Sequence, residues 1–148
     1  MSIYIHKSHN VNVLIYHIVC PTKYRKVVLD QPVEKIIKET CLAIAQRYDM
    51  HFLEIGADQD HIHFLVQSVP MMLPQRIVQT VKSITAKQVF KQAPEVKKQL
   101  WGGQFWSDGY YLSTIGKHNS EQVVSQYVRE QGKEKEYITI HKDQLKLF

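Results

Sequence analysis

Between residues 51 and 69, two apolar runs are separated by only three polar residues, Asp58-Gln59-Asp60. Both runs, residues 51–57 and 61–69, have the length and composition of β-strands. So short a connection leaves no room for a crossover, so the two strands must be antiparallel neighbours. An isolated hairpin is marginal in water, and other parts of the chain must cover one of its faces.

The flanking segments supply that cover. Residues 1–10 read as a polar lead-in, and residues 11–20 as a nearly continuous apolar strand. A basic loop follows, Pro21-Thr22-Lys23-Tyr24-Arg25-Lys26. Asp30 and Pro32 then open a helix to about residue 48, with Val33, Ile36, Ile37, Cys41, Ile44 and Tyr48 on one stripe. Pro70 ends the hairpin, and Pro74 starts a second helix to about residue 92, with Ile77, Val81 and Ile84 inward. Residues 94–100 suit a helical turn, 101–106 an aromatic loop and 110–115 a fourth strand. Gly116-Lys117-His118 reads as a joint. Asn119, with Gln122 three residues on, caps a last helix over about 119–132, and a charged tail spans 133–148.

The order β-α-β-β-α-β with an added C-terminal helix predicts an α+β fold of the ferredoxin-like (RRM-like) kind in one domain, residues 1–148. Right-handed crossovers place both main helices on one face of an antiparallel sheet and leave the other face for a site.

Net charge is +5, and Lys and Arg recur along the whole chain rather than in one tail. A basic surface of this kind suits a polyanion, nucleic acid first, although charge alone also fits a mildly basic domain without such a partner. Lys23, Tyr24, Arg25 and Lys26 could pair with phosphates and stack a base, or form a solvated turn. Lys82 and Lys87 on the second helix carry the same ambiguity. Cys20 and Cys41, the only cysteines, lie in apolar-periodic segments outside any CxxC pair, which favours buried thiols. With no signal-peptide pattern and no apolar run long enough to span a bilayer, the expected location is the cytoplasm, without a membrane partner.

His61 and His63 stand one residue apart in the second hairpin strand, so both side chains share one face, with Cα atoms roughly 6.6–6.8 Å apart. Imidazoles at that spacing can meet on one metal ion. A lone strand histidine is more often structural, but two on one face shift the balance. On the last helix Val123, Tyr127 and Gln131 fall at i, i+4 and i+8, near one stripe. Such a stripe is usually core, yet here it ends in an amide oxygen able to ligate a hard cation. His61, His63 and Gln131 would form a two-imidazole, one-oxygen set suited to Mg²⁺ or Mn²⁺ bound with a substrate phosphate. Tyr127, one turn before Gln131, would bring a phenol beside it. Ionising a phenol of pKa about 10 at neutral pH costs roughly 4 kcal/mol, part of which a nearby divalent ion offsets.

Four stretches together resemble a known family: Tyr16-His17-Ile18-Val19 with Lys23-Tyr24-Arg25; Asp60-His61-Ile62-His63-Phe64-Leu65-Val66; Trp101-Gly102-Gly103-Gln104-Phe105-Trp106-Ser107-Asp108-Gly109-Tyr110; and Tyr127-Val128-Arg129-Glu130-Gln131. They are similar to the small single-tyrosine HUH (histidine–hydrophobic–histidine) transposases of the insertion-sequence two-hundred/six-hundred-and-five group. The resemblance implies that His61, His63 and Gln131 ligate the metal and that Tyr127 is the nucleophile. It also implies cutting of single-stranded DNA at element ends, a 5′-phosphotyrosine link with a free 3′-OH, and recognition of hairpins. A homodimer joined through its sheets is implied, in which the tyrosine helix can serve the opposite protomer. A domesticated nuclease of the host would keep the same motifs. A histidine-triad hydrolase would need a histidine at position 65, which is Leu, and a two-histidine phosphodiesterase would need His-x-Ser/Thr at the strand pair, where position 63 is instead His. A non-catalytic ferredoxin-like nucleic-acid-binding module would need exposed stacking aromatics on its central strands.

Overall fold

The computed structural model describes residues 6–7, 10–11, 14–100 and 102–116; at positions 6, 7, 10 and 11 it describes the backbone alone. Two-residue strands β1 (His6–Lys7) and β2 (Asn10–Val11) pair antiparallel as a small hairpin. The expected lead-in is therefore partly paired, and the long strand starts at Leu14 instead of Val11. Strand β3 runs Leu14–Pro21, helix α1 Gln31–Arg47, β4 His51–Ala57, β5 His61–Ser68, α2 Pro74–Gln92, α3 Pro94–Gln99 and β6 Tyr111–Ile115. The four long strands form one antiparallel sheet in the order β4-β5-β3-β6. The first and third strands of the β-α-β-β-α-β unit are thus central, which is the ferredoxin-like arrangement expected from the element order.

Local chemistry sets the boundaries. Asp30 caps α1 by accepting a hydrogen bond from the Val33 amide at 3.0 Å, and Pro32 occupies the first turn. Pro74 and Pro94 open α2 and α3, where a missing N–H costs nothing. Helices α1 and α2 pack on one face of the sheet. Ile18 from β3, and Ile62, Phe64 and Val66 from β5, meet Val33, Ile37, Cys41 and Ile44 of α1 and Ile77, Val78 and Val81 of α2 in one core. Phe52 and Phe64 meet edge to face with centroids 5.8 Å apart. Each such side chain fully removed from water contributes about 1.5–3 kcal/mol. Cys20 and Cys41 lie in this core as free thiols, and burial pushes the Cys20 thiol up to about 12 and Cys41 higher still.

The opposite face is less open than the element order predicts. Ile15, Leu53 and Leu65 form a second apolar cluster there, with Ile115 packed against it. Gln67, on the same face of β5, is fully buried. Leu53 reaches this face by alternating with Phe52, and the register shift between Phe52 and Glu54 adds one residue that returns Ile55 to the helix face. Exposure is retained toward the other end of β5, at His61 and His63.

Candidate active site

The site begins with the alternation of β5. Ile62, Phe64 and Val66 face the helices and are fully buried, so His61 and His63 stand on the opposite face, half-buried. Cross-strand register sets their neighbours: His63 lies between Val19 of β3 and Gly56 of β4, and His61 lies opposite Pro21.

Gly56 gives His63 its seat. A Cβ built at Gly56 would fall 2.4 Å from His63 Nε2 and 2.6 Å from its Cε1. The far end of the imidazole therefore occupies the space that any other residue would fill. This is the close-approach use of a strand glycine. A third ring, His17 of β3, meets His63 edge to face at 5.9 Å, and Tyr111 of β6 meets His17 at 6.1 Å. Tyr111 is exposed. A row of Tyr111, His17 and His63 thus crosses three strands of this face.

His61 is held from the turn before it. Its Nδ1 lies 2.9 Å from Asp60 Oδ1, and Arg25 Nε donates to Asp60 Oδ2 at 3.1 Å. The His61 hydrogen bond, and then Arg25, keep the Asp60 carboxyl below the ordinary carboxylate range. An ionised carboxylate only accepts, so Nδ1 carries the proton of a neutral His61 and Nε2 presents its lone pair. Asp58 Oδ2 is 4.0 Å from that Nε2.

The basic loop is folded against this turn. The Thr22 amide donates to the Asp60 carbonyl at 2.9 Å, Leu29 N to Gln59 O at 3.2 Å, and Lys23 N to Phe105 O at 2.9 Å. Ser107 N donates back to Pro21 O at 2.9 Å. Three stretches that are distant in sequence, around residues 16–25, 60–66 and 102–110, therefore converge at the start of β5. Trp106 anchors the last of them: its indole N–H donates to the buried Thr85 hydroxyl at 3.0 Å, and its ring packs on Phe105 at 4.5 Å.

The expected basic contacts occupy different positions in this frame. Tyr24, Arg25 and Lys26 are exposed, whereas Lys23 is half-buried, with its Nζ 3.9 Å from Asp108 Oδ2 and 5.3 Å from the Tyr24 ring centroid. Lys82 is engaged within the fold, donating to Ser107 O at 2.6 Å and reaching Asp108 O at 3.4 Å. Lys87 is exposed on α2. Beside Lys82, a groove of about 540 Å³ runs between α2 and residues 103–110, with Gln75, Gln79, Gln104 and Tyr110 on its walls.

The residues present fit a divalent ion. Two imidazoles share one face, one seated in a hollow that a Cβ would fill and the other with its second nitrogen taken by a carboxylate, the usual surroundings of a metal-binding histidine. Among the described residues no three His, Cys, Asp or Glu side chains form a metal cluster. These residues contribute the imidazole pair. Tyr127, Gln131, the Gly116-Lys117-His118 joint beyond Gly116, the helix expected over 119–132 and the tail 133–148 lie outside the described residues. Sequence reasoning assigned no role to Gly56, His17, Tyr111 or the Arg25–Asp60 pair. His17 could have been found from its alternation with Ile18; Gly56 requires knowledge of the cross-strand register.

A ferredoxin-like antiparallel sheet with a His-x-His pair on the face away from its helices defines a domain of the HUH type. The sequence profile of IS200-like transposases matches residues 10–131, and the chain belongs to that family. The transposase TnpA of ISDra2 from Deinococcus radiodurans is 28% identical over 118 residues, 80% of this chain and 84% of that protein. The transposase of insertion element IS200 from Salmonella typhimurium is 25% identical over 116 residues, 78% of this chain and 75% of that protein. A crystal structure from Deinococcus radiodurans R1, assigned as a transposase, superposes with a TM-score of 0.69 at 28% identity, covering 86% of this chain and 97% of that one. A REP-associated tyrosine transposase bound to a REP hairpin shares the fold, with a TM-score of 0.51 at 10% identity over 88% of this chain and 73% of that one. The chain is thus a transposase by family, and no helix among its described residues is long and apolar enough to cross a membrane.

Proposed function

We propose that this transposase cuts and rejoins single-stranded DNA at insertion-sequence ends, with Tyr127 as nucleophile and His61, His63 and Gln131 as ligands of Mg²⁺ or Mn²⁺. The observation that carries the reading is the His61–His63 pair on the helix-free face of β5, with Asp60 at the Nδ1 of His61. It is supported by a family match that extends to residue 131 and so includes Tyr127 and Gln131.

In this reading the Tyr127 phenol oxygen attacks the phosphorus of the scissile bond after losing its proton to a base or water. A P–O bond to tyrosine forms as the P–O3′ bond breaks, and the 3′ oxygen leaves as a hydroxyl after taking a proton. The 5′-phosphotyrosine conserves the phosphodiester energy, so a 3′-OH from another end can reverse the step without ATP. The ion, when bound, polarises a non-bridging phosphate oxygen and helps orient the phosphate for in-line attack. His61 and His63 fix the ion from the rigid side, since both stand on a central strand of the sheet. Tyr24, Lys26 and Lys87 are exposed and available to the DNA strand, with aromatic stacking and phosphate pairing as their contributions. Hairpin DNA as the partner is supported by the fold shared with a hairpin-bound transposase. The functional unit is a homodimer joined through its sheets, and residues 1–148 act as one domain with the tyrosine helix at 119–132.

The test is a labelled single-stranded hairpin oligonucleotide incubated with Mg²⁺ and run on a denaturing gel. Wild type yields a covalent adduct. Tyr127→Phe binds the DNA and yields none. An adduct that survives this substitution removes Tyr127 from the mechanism.

A further inference from the structure

The loop after β3 carries a feature that DNA contact does not explain. Tyr24 and Arg25 both have left-handed backbones, with φ of 58° and 51°. Side chains with a Cβ rarely adopt that region, and two in succession are strained. Surrounding bonds hold the turn: Arg25 N donates to Thr22 O at 2.9 Å, Lys26 N to Lys23 O at 3.2 Å, and the Thr22 hydroxyl to Lys26 O at 2.7 Å. The conformation brings Arg25 Nε to 3.1 Å from Asp60 Oδ2, while the other oxygen of that carboxylate meets His61 Nδ1 at 2.9 Å.

We propose that Asp60 and Arg25 are positioning residues for the metal site. Asp60 accepts the Nδ1 proton of His61, so that Nε2 is the nitrogen offered to a divalent cation. Arg25 engages the second carboxylate oxygen and stops the carboxylate from swinging away. The inference rests on the reading of His61 as a metal ligand and adds what orients it.

The alternative, a purely structural ion pair, has little to do here. Arg25 and Asp60 expose 62% and 28% of their side chains, and pairs this wet add little to stability. The turn is already fixed by backbone bonds, Thr22 N to Asp60 O and Asp58 N to His61 O, each 2.9 Å. Removing the carboxylate therefore frees an imidazole without unravelling the hairpin. A carboxylate behind a ligating histidine sets its tautomer and ring angle, and losing one typically costs about 10–100-fold in metal affinity.

Two measurements on the DNA-free protein test this. The first is the His61 tautomer by long-range ¹H–¹⁵N correlation without metal, at about pH 8, where an ordinary imidazole is neutral. The second is Mn²⁺ affinity by electron paramagnetic resonance. Wild type shows the Nδ1–H form. Asp60→Ala shifts His61 toward the Nε2–H form and weakens Mn²⁺ binding by about 10-fold or more. Asp60→Asn gives a smaller loss, because its carbonyl can still accept from Nδ1 while its amide opposes Arg25. Arg25→Gln lies between wild type and Asp60→Ala. His61→Ala and His63→Ala are the controls for the site itself. If they lose Mn²⁺ and Asp60→Ala keeps both the affinity and the Nδ1–H form, the positioning role is refuted and the metal site stands. If His61→Ala and His63→Ala bind Mn²⁺ like wild type, the metal-site reading falls, and the positioning role with it.

Discussion

Gly56→Ala is a sharp test of the site, because its effect follows from one contact. The new Cβ would lie 2.4 Å from His63 Nε2; restoring ordinary contact, from 3.4 Å outward, displaces the ring by about 1 Å. Metal–imidazole bonds are about 2.0–2.1 Å and tolerate deviations of roughly 0.2 Å, so a ring displaced that far no longer ligates. The fold should survive. The Gly56 backbone is not left-handed, the ring is half-buried and can rotate, and alanine gains about 0.5–1 kcal/mol over glycine inside a strand. The expected result is a urea-unfolding free energy within about 1 kcal/mol of wild type, with Mn²⁺ affinity reduced by at least about 10-fold, or about 1.4 kcal/mol. Titration calorimetry measures the affinity, and adduct formation at limiting metal should fall in step. A folded Gly56→Ala protein with wild-type Mn²⁺ affinity would refute the argument that His63 needs this hollow to serve as a ligand.

Three further expectations concern stability. His51 is buried, and burial holds its pKa down at about 4, with nearby Asp49 opposing the shift in part. The unfolded chain therefore binds the extra proton first as pH falls. The stabilisation is complete above about pH 6.5 and declines toward pH 4, by on the order of 3 kcal/mol. His51→Gln should flatten the pH dependence of chemical unfolding in that window, and an unchanged slope would show that His51 does not set it. Lys82→Met keeps the aliphatic stem but loses the 2.6 Å bond to Ser107 O, and should destabilise the fold by about 1–2 kcal/mol in urea. Lys87→Ala, which removes an exposed cation, should leave stability unchanged; a phosphate contact there would appear as a shallower salt dependence of DNA binding.

The element plan was legible because its punctuation is local. Asp30 with Pro32, Pro74 and Pro94 mark helix starts through capping and missing donors, and Asp58-Gln59-Asp60 forces the hairpin. The β1–β2 pair escaped notice because two-residue strands carry no periodicity. The second apolar cluster escaped for another reason: Ile15, Leu53 and Leu65 sit in nearly continuous apolar runs, where alternation does not say which residues face away from the helices. The two histidines could be placed by alternation alone. Their supports could not, since Arg25 and Asp60 are 35 residues apart in the chain and Gly56 reaches His63 only across strands. Sequence reasoning counted Arg25 and Lys82 as candidates for DNA contact on charge; the fold gives each an internal partner as well, which charge along a chain does not reveal.

The two core thiols have a practical consequence. Cys20 and Cys41 are sealed from solvent, and their raised pKa values leave almost no thiolate at neutral pH. Alkylating reagents therefore pass over the native chain. A cysteine introduced at exposed Lys26 or Lys87 becomes the sole reactive handle for a fluorophore, with no need to delete the natural pair. When the core opens, both native thiols become reactive, so the alkylation rate of the wild-type protein directly reports how often the sheet and its helices part.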